Sequence, residues 1–188
     1  MRHKYSTRAI VLGRTPTGEE SISATLITEG FGLIRARSQG ARKHGAKMSA
    51  GLQTLSSSDV TLLRGKEGWR MAGAVPEVNW ARELDAEGRL RAARVLELAE
   101  RLIRGEHEDV ELFAIIDAFL RALPERTKED QDTLETLVVV RLLQTLGLDA
   151  GATFGAADDF SDEAIAGARS ARASLIARIN RGIAASGL

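Results

Sequence analysis

Arg35, Arg37, Arg42, Lys43 and Lys47 put five positive charges within thirteen residues, and no Asp or Glu stands among them. Cations that repel one another without a local counter-charge mark a surface built to meet a polyanion. Lys and Arg that neutralise phosphates release counterions, which gives affinity that is indifferent to base sequence and sensitive to salt. The chemistry these five residues point to is nucleic-acid binding. Arg64, Lys66 and Arg70 are more scattered and read as solvated cations on a strand face. Rings that could stack bases are scarce in this half, with Tyr5, Phe31, Trp69 and Trp80 alone. Trp69 alternates with Met71 and reads as core, so contacts to the phosphate backbone are expected to dominate.

The other chemistry-bearing patterns are weaker. Gly40 to Met48 has the glycine spacing of a phosphate-binding loop, but Lys47 comes one place late and Met48 lacks the hydroxyl that would hold magnesium. Gly13 to Glu20 repeats the spacing with a carboxylate where the lysine is needed. The acidic clusters Glu106–Asp109 and Asp158–Glu163 both fall at expected helix starts, where acids favour the helix dipole. His3, His44 and His107 are far apart and share no ligand spacing, and the chain has no cysteine. Disulfides, thiol catalysis and cysteine-based zinc sites are thereby excluded, and neither a metal nor any other cofactor is expected. No nucleophile–base pair or glycine-flanked nucleophile elbow is present, which argues against an enzyme.

The elements that must carry the cations are strands. Residues 7–12, 22–28, 33–38, 55–63 and 68–75 show β-rich alternation separated by Gly, Pro and Thr turns, with a short helix near 48–53. In the third strand Ile34 and Ala36 face one side and Arg35 and Arg37 the other. Five strands with a helical insertion between the third and fourth predict an OB-fold, the five-stranded Greek-key barrel used for oligonucleotides and oligosaccharides. Pro76 is read as the exit from the barrel.

From Asp85 the period becomes helical. Ala92, Val95, Leu96, Ala99, Leu102 and Ile103 form one stripe. A helix over 110–123 is apolar on nearly all sides and is expected at the centre of a bundle. A third helix spans about 129–146 and ends at Gly147, a loose Gly/Ala-rich stretch covers 149–160, and a last helix starts at Ser161. The fold class is therefore α+β, an N-terminal OB barrel over 1–79 and an α-helical domain over 80–188. The 188 residues sum to zero net charge, but the first 80 hold twelve basic and six acidic residues and the remainder fourteen and twenty. A basic barrel would face the polyanion and an acidic helical half would hold protein partners. No apolar run is long enough to span a membrane and the N-terminus does not read as a signal peptide, so a cytoplasmic protein is expected.

Ala9–Leu12, Gly18-Glu19-Glu20-Ser21, Leu26 through Ile34 with Gly30 and Gly32, Gly40–Lys43 followed by Lys47, Leu52-Gln53, and Glu77 stand in an order and spacing of their own. Through them the first half resembles the bacterial recombination mediator family RecO. In the second half, Leu134–Gly147 is similar to that family's apolar helix ending in Leu-Gly. The resemblance implies a mediator of recombinational repair that binds single- and double-stranded DNA and anneals complementary strands. It implies as partners RecR, the C-terminal tail of the single-stranded DNA-binding protein and, indirectly, RecA. Arg94, Arg101, Arg104, Arg121, Arg141, Arg172 and Arg178 are the cations available to such an acidic tail. Many members carry a four-cysteine zinc module where this chain has only 149–160. The rival reading of the same basic face is an OB-fold RNA-binding or ribosome-associated module.

Overall fold

The computed structural model describes residues 3–17, 19, 21–39, 48–103, 105–106, 109–152 and 154–188. Five strands, β1 (Lys4–Pro16), β2 (Ile22–Thr28), β3 (Gly32–Ser38), β4 (Ser56–Gly65) and β5 (Gly68–Asn79), close into a barrel in the order β1-β2-β3-β5-β4. The one-turn helix α1 (Met48–Gly51) lies between β3 and β4, as an OB-fold requires. All pairings are antiparallel except β3 with β5, which run parallel and register Ala36 with Trp69 and Arg37 with Arg70. Inward positions alternate along each strand and bring Val11, Leu26, Ile34, Val60, Leu62, Trp69 and Met71 into one core. Leu52, just after α1, joins this core, and Gly51 is buried.

Two strands outrun their expected limits. β1 continues through Gly13 to Pro16, residues read as a turn, because Lys4–Ile10 pair with β4 while Ala9–Pro16 pair with β2, across a register shift between Val11 and Gly13. β5 passes straight through Pro76 to Asn79. Pro76 sits opposite Ser58, next to the register shift between Ser57 and Ser58, the kind of irregular ladder position where a missing N–H is tolerated. The short helix α2 (Trp80–Glu83) follows, and its Trp80 Nε1 donates to Ser57 Oγ at 2.8 Å.

The helical part comprises α3 (Ala86–Leu102), α4 (Val110–Ala122), α5 (Lys128–Thr145), α6 (Asp162–Ser170) and α7 (Arg172–Ser186). Asp85 caps α3 by accepting from the Gly88 N–H, Thr127 caps α5 and Ser161 caps α6. The stripe expected on α3 is buried as read. The central element is α5 rather than α4: residues 137–143 are buried without a break, and α5 packs on α3, α6 and α7. The single last helix is two. Ala171 leaves helical geometry at φ −99°, ψ 9°, and α7 then lies along α5 with Gly182 against Leu143.

The stretch 149–160 is not loose. Gln144 donates to the carbonyl of Gly151, Arg178 to that of Ala152, Arg141 to that of Phe154 and Arg126 to that of Phe160. Compactness divides the chain into Met1–Glu83 with Gly105–Val110, and Leu84–Arg104 with Glu111–Leu188. Among the described residues no helix is long and apolar enough to cross a membrane.

Candidate nucleic-acid interface on the barrel

Arg35 and Arg37 stand exposed on β3 while Ile34 and Ala36 point into the core. Arg42, Lys43 and Lys47 lie outside the described residues. What the barrel adds to Arg37 comes from a different part of the chain. The parallel β3–β5 register sets Arg70 beside Arg37, and the tight β4–β5 turn, with Gly68 at φ +100°, brings Arg64 and Lys66 to the same rim. These four cations surround an open cleft of about 890 Å³, completed by Thr17 and Ser21 from the β1–β2 connection, by Gln39 and by Trp69. Among the described residues Glu67 is the one carboxylate in the lining.

Trp69 has two roles that sequence alone had to choose between. It is 7% exposed and belongs to the barrel core. There it packs against Phe31 and Tyr5 with ring centroids 5.0 and 5.6 Å away. It is also part of the floor of the cleft, and the Arg64 guanidinium lies over its ring with Cζ 4.7 Å from the centroid. A cation held on an indole is kept in place without losing its charge. Arg70 is likewise braced, donating to Gln39 Oε1 at 2.8 Å. Arg64 also donates to the Glu106 carboxylate. The cleft therefore offers two braced guanidinium groups, those of Arg64 and Arg70, beside a buried indole, an arrangement whose charge is complementary to a chain of phosphates and which gives little open ring for stacking.

Sequence reading passed over Arg64, Lys66 and Arg70 because each, taken alone, is an isolated surface cation. The signal that could have found them is the OB strand order itself, which pairs β3 with β5 and so obliges the cations of both strands to share a rim.

The acidic cluster at 158–163 has structural duties. Asp162 pairs with Arg126 and Ser161 caps α6, while hydrogen bonds from Ser161 hold the Asp159 carboxyl below the usual range. Among the described residues no group of three acids or histidines is placed to hold a metal ion. Most helical-half cations named above are also engaged. Arg94 and Arg91 share Glu135, and Arg91 reaches Glu87 and Asp132 as well. Arg172 pairs with Asp132 and holds its carboxyl below the ordinary range, with Arg91 adding to the effect. Arg121 pairs with Asp117, and Arg178 with Asp149. Arg141 is 2% exposed and lies over Phe160. Burial lowers its pKa despite Asp159 and Asp158 nearby. Arg101 is exposed, and Arg104 lies outside the described residues.

Barrel and helices together define a class: an OB-fold barrel joined to an α-helical unit. Residues 1–71 match the family described as Recombination protein O N terminal. Through this barrel the chain is similar to the RecO family. It is similar to the DNA repair protein RecO of Dehalococcoides mccartyi, 38% identical over 64 residues that cover 34% of this chain and 25% of the relative. The RecO of Acetivibrio thermocellus is 28% identical over 144 residues, 75% of this chain and 56% of the relative, so the likeness extends into the helices. The RecO of Gloeobacter violaceus is 33% identical over 92 residues, 49% of this chain and 35% of the relative. In these alignments the chain spans between a quarter and just over half of its relatives' length.

Proposed function

We propose that the chain is a RecO-like recombination mediator in DNA repair, one that binds single- and double-stranded DNA through its barrel, anneals complementary strands and catalyses no reaction. The observation that carries the reading is the convergence of Arg37, Arg64, Lys66 and Arg70 on one cleft of an OB barrel with a single carboxylate among the described residues of its lining. Arg35 extends that surface along β3, and Arg42, Lys43 and Lys47 are proposed to continue it. The barrel over 1–79 is the DNA-binding domain in this reading, and the helical domain over 80–188 meets RecR and the acidic tail of the single-stranded DNA-binding protein on the way to loading RecA. Because most helical-half arginines are held by the chain's own acids and carbonyls, the tail has to find an apolar seat with few free cations, and its binding should be weak.

The test is oligonucleotide binding as a function of salt. Affinity for a single strand is expected to fall with a log–log slope of roughly 0.7 per phosphate contacted. Reversing Arg37 and Arg70 to Glu should weaken every DNA sequence alike, flatten that slope and abolish annealing of strands coated with single-strand binding protein. Unchanged affinity and slope in that double variant would refute the site. Stronger competition by RNA than by DNA of equal length would transfer the cleft to an RNA ligand.

A further inference from the structure

Arg64, on the rim of the cleft, already holds an anion, and that anion belongs to the chain. Glu106 is 42 positions from Arg64 in sequence, in the segment Gly105–Val110 that groups with the barrel. Its carboxylate accepts a hydrogen bond from Arg64 Nη1. Arg64 is the cation over Trp69, so the guanidinium that the aromatic floor fixes most firmly is the one Glu106 occupies. A carboxylate and a phosphate oxygen use the same donors of a guanidinium in the same charge-assisted geometry and cannot share one of its N–H groups without crowding two negative charges.

We propose that Glu106 stands in for a phosphate on Arg64, so that a DNA strand enters the cleft by exchange, displacing Glu106 and taking over the guanidinium. The proposal rests on the DNA-binding reading above and adds a residue that selects among phosphate ligands. Arg64 and Glu106 are 48% and 44% exposed, and an exposed ion pair of this kind holds its partner only about two- to fivefold over the separated state. Inorganic phosphate or a mononucleotide gains one contact at Arg64 and loses the equivalent contact of Glu106. A strand that also reaches Arg37, Lys66 and Arg70 bears the exchange once and keeps the other contacts. The cleft therefore disfavours single phosphate groups and admits phosphodiester chains.

The experiment uses the full chain and a fluorescent oligothymidylate, with affinity read by anisotropy. Glu106→Gln keeps the side-chain volume and is expected to tighten binding about two- to fivefold. Arg64→Ala should weaken binding, and adding Glu106→Gln to Arg64→Ala should then change nothing, because the glutamate acts through that one guanidinium. Asp59→Asn, the same change of charge at an exposed position toward the opposite end of β4, should leave affinity near that of the unaltered chain. A gain that persists without Arg64, or that Asp59→Asn reproduces, overturns the exchange and reduces it to net charge. Equal binding by Glu106→Gln and the unaltered chain, while Arg64→Ala weakens it, overturns the exchange and leaves the DNA reading standing. No loss in Arg64→Ala or in the Arg37 and Arg70 reversals sinks both.

Discussion

Replacing Asp149 with Asn tests whether the cysteine-free loop of the helical unit is held by a buried ion pair. Arg178 and Asp149 side chains are 10% and 9% exposed. Arg178 Nε lies 3.1 and 3.2 Å from the two carboxylate oxygens, Nη2 lies 2.5 Å from Oδ2, and Nη1 donates to the Ala152 carbonyl at 2.9 Å. Removing one partner of such a pair leaves the other charge buried and uncompensated, which costs about 3–5 kcal/mol. Asparagine keeps one oxygen to accept from the guanidinium, so the expected loss is smaller than that full cost, about 2–3 kcal/mol. For a chain of this size that lowers Tm by roughly 4–12 °C. Thermal melting followed by circular dichroism measures it, and pH supplies the sign. The hydrogen bond from Arg178 holds the Asp149 carboxyl below its ordinary value. The stabilisation is thus fully present above the unfolded carboxyl's pKa of about 3.9 and is lost as pH falls through the lower folded value. The gap between Asp149→Asn and the unaltered protein should be constant near neutrality and close as pH drops below about 4. Equal melting at neutral pH, or a gap that stays open in acid, would refute the assignment.

Two smaller changes probe the elements that position the cleft and the helices. A Cβ at Gly51 would stand 2.9 Å from the Ala74 Cβ and 3.0 Å from its carbonyl carbon, so Gly51→Ala must push α1 off β5 and should cost about 1–3 kcal/mol in urea denaturation. Asp85→Ala removes the acceptor that meets the Gly88 N–H at 2.7 Å, and the expected loss is about 1 kcal/mol with an unchanged denaturant slope.

Local pattern decided more of the fold than of the site. The alternation Ile34, Arg35, Ala36, Arg37 gave the faces of β3 correctly because a strand's side chains must alternate whatever it pairs with. The α3 stripe was equally plain, since its period is set within one helix. Errors came where a partner, and not the segment itself, sets the outcome. β1 runs on past Gly13 because β2 is there to pair with it, and β5 runs through Pro76 because the ladder shifts register at that point. The apolar α4 looked more central than α5, yet α5 is wrapped by three helices. Its Gln131, Thr133 and Arg141 are polar residues that neighbours bury, and composition cannot foresee that.

The cleft is harder to read because its charges come from strands that meet only when the barrel closes. Arg37 and Arg70 are 33 positions apart and become neighbours through a parallel contact of two residue pairs, the shortest register in the barrel. A run of cations such as Arg35–Lys47 advertises itself, whereas Arg64, Lys66 and Arg70 acquire meaning only from Arg37 across the closure. The same closure makes Trp69 serve two ends. Its indole must be buried to fill a small barrel, and the residue five positions back must fold over it because the turn between them is tight. Arg64 is thereby held over the indole by packing as well as by its ion pair with Glu106, so that in the proposed exchange a phosphate would meet a guanidinium already in place.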